Sequence, residues 1–471
     1  LFRSNVDLPA VRADYLTSSG AADTLRSVVL QVTSRQRPVS GARVDLSIGD
    51  DSVGTVVTGA DGMVPVRLLA GEVQAVVSID GQQFPARVAT AAQDRLQVVV
   101  DEYQWGTAEL QIVDEAGHPL AAKVEFTGRE GTVTPRWAPE TGEYFVKNLA
   151  YTVNGQLQAR LAAGEYDVTI SHGPEYNAEF TKVKIEDGGT TARRVVLPRV
   201  VATEGWVSAD FHSHSSPSGD NTSSQLGRVL NLVAEHIEFA PCTEHNRVST
   251  YSGHLRALQL TEAMASVEGM EMTGQPLPLN HQNVFPMRFR PGVQDGGGPT
   301  ADASPEAQIE RLAAWDDNSI KLIQQNHPDV GWLFYDKDGN QQPDGGYERS
   351  FGLMNVMEIH PIDKLLRRER FDIRDGKPAE NHTAMNWLQL LNQGFRIYGV
   401  VNTDSHYNFH GSGGLRIWLK SSTDDPGRIN PDEMRDVSRE GRIIMSNGPY
   451  LEAGFRETGS TGAEATAGED L

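Results

Sequence analysis

The sequence predicts two all-β sandwiches followed by an α/β domain built as a parallel barrel or a doubly wound sheet. Three observations carry this expectation. Up to about residue 203, runs such as "SVVLQVTS", "ARVDLSIG" and "DRLQVVV" alternate Val, Ile, Leu and Thr at period two and break at Asp-Gly or Ala-Gly pairs, such as Asp61-Gly62 and Ala70-Gly71. The pattern then repeats, because "VRLLAGEVQAVVSIDG" and "ARLAAGEYDVTISHG" both read strand, Ala-Gly-Glu turn, strand. Beyond residue 203, short apolar strands alternate with amphipathic helical segments.

The elements follow in order. Residues 1–25 form an N-terminal segment, 26–101 a first sandwich and 104–201 a second, both read as spacer or packing modules. Residues 203–450 form the α/β domain. Its strands are "WVSADFHSH", "IEFAPCTEHN", "VEGMEMTG", "IKLIQQNHP", "MNVMEIHP" and "IYGVVNTDSH". Between them lie helices such as "SPEAQIERLAAWD", opened by the N-cap Ser304 and by Pro305. Residues 451–471 form a tail or the start of a further β segment.

Composition bounds the function. The 471 residues carry a net charge of −21, which repels phosphate backbones and argues against general nucleic-acid binding. No apolar stretch reaches the ~20 residues of a membrane-spanning helix. A single cysteine, Cys242, excludes a disulfide scaffold and a cysteine-built zinc site. The sequence opens at Leu1 without a signal-peptide pattern, consistent with a start left by processing or with the ordered part of a longer chain. Forty-six glycines, the acidic balance and near-absence of Cys favour a secreted, periplasmic or cell-envelope bacterial protein, with a cytoplasmic one suited almost as well.

The histidines locate the chemistry. Eleven of the thirteen lie between His212 and His410, and they recur at predicted strand ends with acids beside them. "DFHSH" sets His212 and His214 at i and i+2, on one face of a strand and able to grip one metal ion. "SPSGDN" follows with Asp220, "CTEHN" ends the next strand with Glu244, His245 and Asn246, and "EGMEMT" offers Glu268 and Glu271. "QQNHP" brings His327, "MEIH" brings His360, and "VNTDSH" closes the set with Asp404 and His406. Carboxylates with imidazoles ligate zinc, manganese and iron. Their number exceeds one tetrahedral site and suits two or three ions with a shared carboxylate. No G-x-S-x-G nucleophile pattern is present, and Cys242 lies within an apolar strand.

This set of motifs resembles the PHP (polymerase and histidinol phosphatase) superfamily, over Trp206 to Tyr450, and within it the secreted carbaryl-hydrolase-like branch, to which "NHQNVFP" and "SNGPYL" are also similar. The N-terminal units resemble carboxypeptidase-regulatory-like and immunoglobulin-like sandwiches. The resemblance implies a distorted (β/α)7 barrel, two or three divalent metals, and hydrolysis mostly of phosphoesters. It implies that His212, His214, Glu271 and Asp404 hold one metal. Asp220, His245 and His327 with a bridging Glu271 would complete a second, and His406 would serve a third metal or the substrate. His281 matches a residue that is a ligand in some members only. The usual Ser-Asp-Gly after His-x-His reads Ser-Gly-Asp here, and His360 has no family counterpart.

The expected protein is therefore a metal-dependent hydrolase that activates water against an ester of a small molecule, phosphomonoesters or phosphodiesters foremost. A carbamate, carboxyl-ester or amide hydrolase with the same metals is one alternative, and a cell-surface metal-containing binding protein without turnover is another. His281, His360 and His406 are the candidates to protonate a leaving group. Asn246, Arg247 and Arg416 are candidates for substrate binding, against the reading of both arginines as ordinary ion-pair residues. Asp336, Asp338, Asn340 and Asp344 in "DKDGNQQPDGG" fit either a calcium loop or a solvated Asx-rich turn. The oligomeric state is not encoded in any motif.

Overall fold

The computed structural model describes residue 17 and residues 25–468, except 70–71, 90–93, 278, 329, 335–337, 339, 345–346, 360–368, 374–376, 382, 410 and 457–464. The first β unit follows from its alternation. In the strand Glu72–Ile79, Val73, Ala75, Val77 and Ile79 are buried while Glu72 and Gln74 face solvent. One sheet holds Leu25–Ser34 beside Met63–Leu69 and Arg95–Val99, and the other holds Asp51–Val57, Arg43–Ile48, Glu72–Ile79 and Gln82–Ala89. Leu30 and Val66 from the first meet Val44 and Val77 from the second in one core. Gly62 completes the Asp61-Gly62 turn at φ +72°, a conformation that costs a residue with a Cβ.

The second unit repeats this pairing. In both, the opening strand runs antiparallel to a middle strand and parallel to the last: Leu25–Ser34 does so with Met63–Leu69 and Arg95–Val99, and Trp105–Val113 with Gln156–Ala162 and Thr190–Val196. The remaining strands pair in matching order around Arg43–Ile48 and Ala122–Arg129. The second core joins Leu110, Leu157 and Val195 to Val124, Phe126 and Val168.

The C-terminal region corrects the expected fold. It is a pair of mixed five-stranded sheets, and no (β/α)7 barrel forms among the described residues. The first sheet runs Ala265–Glu268, Phe239–Cys242, Trp206–Ala209, Arg416–Lys420, Ile443–Ser446. The second runs Met270–Thr273, His281–Phe285, Leu322–Gln325, Val356–Glu358, Tyr398–Val400. Each contains antiparallel neighbours. Seven residues, 274–280, join Met270–Thr273 to His281–Phe285, too few for the helical crossover a parallel pair requires.

The sheets face each other across Val207, Phe239, Phe285, Leu322, Val356 and Ile417. Their central strands are buried on both sides, so they read in sequence like parallel-barrel strands. The chain passes from one sheet to the other at Gly269, where a Cβ would lie 2.9 Å from the Val284 carbonyl oxygen and 3.1 Å from that of Cys242. Helices flank the sheets. Gln225–Ala234 is capped by Ser224, whose hydroxyl accepts the Gly227 N–H at 3.0 Å. Pro305–Asn318 is capped by Ser304, as the sequence predicts.

Candidate metal centre

His212 and His214 leave the end of Trp206–Ala209 in extended conformation. Ser213 between them forms a parallel bridge with Ser405. The Asp404 N–H donates to the His212 carbonyl (2.8 Å) and the His214 N–H to the Ser405 carbonyl (2.9 Å). Two i, i+2 motifs, His-Ser-His and Asp-Ser-His, are thereby laid side by side. The two Nε2 atoms lie 2.9 Å apart, and Asp404 Oδ1 lies 3.3 Å from that of His212 and 3.1 Å from that of His214. Asp404 holds φ +48° and His327 φ +26°, backbone conformations that these residue types adopt at a cost.

Glu271 is the hub. It is fully buried, and its two oxygens face different imidazoles. Oε1 lies 3.6 Å from His212 Nε2, 3.2 Å from His281 Nδ1 and 3.6 Å from His327 Nε2. Oε2 lies 3.5 Å from His214 Nε2 and 2.6 Å from His245 Nδ1. On the solvent side, Asp220 Oδ2 is 3.2 Å from His245 Nε2 and 3.3 Å from His406 Nε2. Three groups of ligand atoms converge: His212, His214 and Asp404; His212, His327 and Glu271; and His214, His245 and His406.

Electrostatics follow from this crowding. Burial opposes charge on His212, but Asp404, Glu358 and Glu271 outweigh it and hold the imidazole well above its usual range. Burial likewise opposes ionisation of Glu271, yet His212 and the surrounding imidazoles hold that carboxyl well below its usual range. Asp404 behaves in the same way, against burial, and stands at about 2 because of His212 and His214. Burial keeps His214 below its ordinary value.

The donor set fits divalent transition metals. His281 Nε2 is buried and has no hydrogen-bond partner among the described residues, and such an atom is costly unless a ligand satisfies it. Imidazole nitrogens converging with carboxylate oxygens at this spacing suit zinc, manganese or iron.

The expected residues fare differently. His212, His214, Asp220, His245, Glu271, His281, His327, Asp404 and His406 come together. His360 and Asp336 lie outside the described residues. Glu244 sits beneath the cluster and accepts the Ser215 N–H (2.9 Å) and Ser218 hydroxyl (2.6 Å), and Ser218 contacts His214 Nδ1 at 3.1 Å. Asn246 spends its amide on the Thr273 backbone, accepting its N–H at 2.9 Å and donating to its carbonyl at 3.3 Å. It is therefore a clamp on the Glu271 strand. Arg416 corrects the substrate-binding expectation. It is fully buried and donates to the carbonyls of Gly413 (3.0 Å) and Glu235 (2.9 Å). Arg247 is half-buried. Asp338 and Asn340 form successive Asx turns, with the Asn340 N–H donating to Asp338 (3.1 Å) and the Gln342 N–H to Asn340 (2.7 Å), and they are exposed together with Asp344.

Glu358 was missed by sequence reasoning. Its Oε1 accepts His212 Nδ1–H at 2.8 Å and is also reached by Gln324 (3.1 Å) and Asn402 (3.0 Å). Asn326 donates to Glu271 Oε1 at 2.8 Å. A signal for this layer was present: amides crowd strands otherwise read as apolar, in "NHQN" and "IQQN", and buried amides demand partners.

No family model matches the chain, and no curated protein matches it. Similar solved structures include the Bacillus anthracis TIE protein, at 19% identity over 42% of this chain and 37% of that one, with a TM-score of 0.17. A Streptococcal ancillary pilin matches at 15% identity over 42% of this chain and 74% of that one, TM-score 0.21. The shaft pilin SpaA from Lactobacillus rhamnosus GG matches at 14% identity over 38% of this chain and 99% of that one, TM-score 0.22. The chain thus spans little more than a third of the length of the first of these. Likenesses this weak carry no argument about function. Among the described residues, no helix is long and apolar enough to cross a membrane.

Proposed function

We propose that this chain is a metal-dependent hydrolase that binds two or three divalent ions (zinc, manganese or iron) and cleaves an ester of a small molecule, a phosphoester foremost. One observation carries the reading: Glu271, fully buried, is faced by five imidazoles drawn from four separate segments of the chain. A purely structural cluster would satisfy its buried atoms internally, and this one leaves His281 Nε2 without a partner among the described residues. His212, His214 and Asp404 would hold one ion. His327 and Oε1 of Glu271 would serve a second, and His245, His406 and Asp220 would serve the outer position. Bound there, such ions lower the pKa of water towards neutrality and stabilise a developing oxyanion.

The chain's own residues divide the remaining work. His212, His214 and Glu271 form a floor closed to solvent. His406, His327 and Asp404 keep about a quarter of their side-chain surface exposed, which sets the substrate side. With only two ions bound, His406 would be free to give a proton to a leaving oxygen. Arg247, two residues beyond His245, would meet an anionic group. Preference for phosphoesters rests on the resemblance to the PHP superfamily, and an exported, envelope-associated setting rests on composition.

Elemental analysis of protein purified without chelator tests this. About two to three equivalents of metal, lost in His212→Ala and Asp404→Ala, are expected. Less than about half an equivalent after reloading would overturn the metal assignment. Turnover of phosphoesters, with competitive inhibition by inorganic phosphate, separates the reading from carbamate or carboxyl-ester hydrolysis. Metal retention without any turnover would instead support a binding protein.

A further inference from the structure

We propose that the second sandwich is a working part of the metal centre, with Tyr151 as a positioning residue that holds the Asp404–His406 segment through Asn408, Asn231 and Arg228. Tyr151 lies in the strand Leu149–Thr152 and is 2% exposed. Its hydroxyl donates to the Asn408 carbonyl at 2.9 Å and accepts from Asn231 Nδ2 at 3.0 Å. Asn231 Oδ1 accepts from Arg228 at 3.0 Å and from the Ser412 N–H at 2.5 Å. Arg228, fully buried, then donates to the carbonyls of both ligand-bearing segments, His214 (3.0 Å) and Ser405 (3.0 Å). One side chain of the sandwich is thus linked by three hydrogen-bonded steps to the carbonyls of His214 and of Ser405, which adjoins His406.

A second set of bonds holds the same segment from the sandwich. The Asn408 N–H donates to the Glu140 carbonyl at 3.0 Å, and its amide to the Gly142 carbonyl at 2.7 Å. Lys147 Nζ sits 4.2 Å from the centre of the Phe409 ring. On the other flank, Gly227 opens the helix against the Asn408 amide, where a Cβ would overlap it. A spacer module has no reason to place buried, directional bonds on a loop that carries two candidate ligands. Buried polar networks of this kind fix one geometry because each member is costly to leave unpaired. The sequence reads the second unit as a spacer or packing module, and these bonds support giving it a positioning role as well.

The inference rests on the proposed metal function only in its consequence for metal affinity. Tyr151→Phe removes one hydroxyl and keeps the ring. Hydrogen exchange in full-length, metal-free protein should speed up by about tenfold over residues 403–409. Affinity for zinc, read by chelator competition, should fall by about tenfold, the scale of other outer-layer partners of metal ligands. Tyr166→Phe is the control, because it deletes a partly buried bond of the same kind, from the hydroxyl to the Ala162 carbonyl at 2.9 Å, elsewhere in the same sandwich. Unchanged exchange over 403–409 in Tyr151→Phe, or equal effects from Tyr166→Phe, would overturn the proposal. Failure of the unaltered protein to take up zinc, manganese or iron would overturn the metal function instead, and the exchange measurement would still decide the brace.

Discussion

Replacing Glu358 with Gln removes one negative charge from beneath the metal centre with little change in shape. Glu358 is 1% exposed, His212 is fully buried, and the bond from His212 Nδ1 is 2.8 Å. Its other oxygen accepts the His327 N–H at 2.6 Å. The carboxylate therefore receives donors at both oxygens. A carboxamide accepts at one end only, so its NH2 would be turned towards the His327 N–H, sparing the three donors on Oε1. Two effects add: loss of a charge-assisted bond to His212, worth roughly 1.5–3 kcal/mol, and one unpaired buried N–H.

With Nδ1–H held by Glu358, His212 presents its Nε2 lone pair to the site, and the adjacent charge makes that nitrogen more basic. At ~1.4 kcal/mol per factor of ten, Glu358→Gln should weaken zinc binding roughly 10- to 100-fold. Chelator competition at fixed pH measures this, with thermal unfolding of the metal-free protein to confirm that the variant folds. A folded variant that binds zinc within about twofold of the unaltered protein would refute the reasoning.

Three further outcomes are expected. Glu175 is buried at the junction with His236 and Arg199, which outweigh burial and hold it at about 2 against an ordinary 4.5. Its contribution to stability is therefore present above pH ~4.5 and lost as pH falls towards ~2, so Glu175→Gln should flatten the fall of Tm across that window, and an unchanged slope would remove the assignment. Gly269→Ala should destabilise the chain by about 1–3 kcal/mol in denaturant titrations, because the new methyl meets the carbonyls of Val284 and Cys242 at the crossing between sheets; a neutral effect would show that the crossing can shift. Millimolar calcium should leave Tm unchanged, since Asp338 and Asn340 spend side-chain oxygens on neighbouring N–H groups, and a clear rise would restore the calcium-loop reading.

Local patterns decided much of this protein. Period-two alternation with Asp-Gly and Ala-Gly turns determined the β units, because alternation records which face is buried irrespective of partner. The Ser304 cap and Pro305 marked a helix start for the same local reason. His-x-His and Asp-x-His were legible because an i, i+2 spacing on extended chain puts two side chains on one face. Pairing direction was not legible: strands such as Trp206–Ala209 and Leu322–Gln325, buried on both faces, look alike whether parallel or antiparallel. A barrel was therefore expected where the chain builds two facing mixed sheets. Only the tertiary structure decided that Arg416 turns inward onto carbonyls, that Glu358 steadies His212, and that Tyr151 reaches the Asp404 segment across 257 residues of sequence to Asn408. Such contacts join residues remote in the chain, and their geometry is set by how whole sheets pack, which no local window of sequence records.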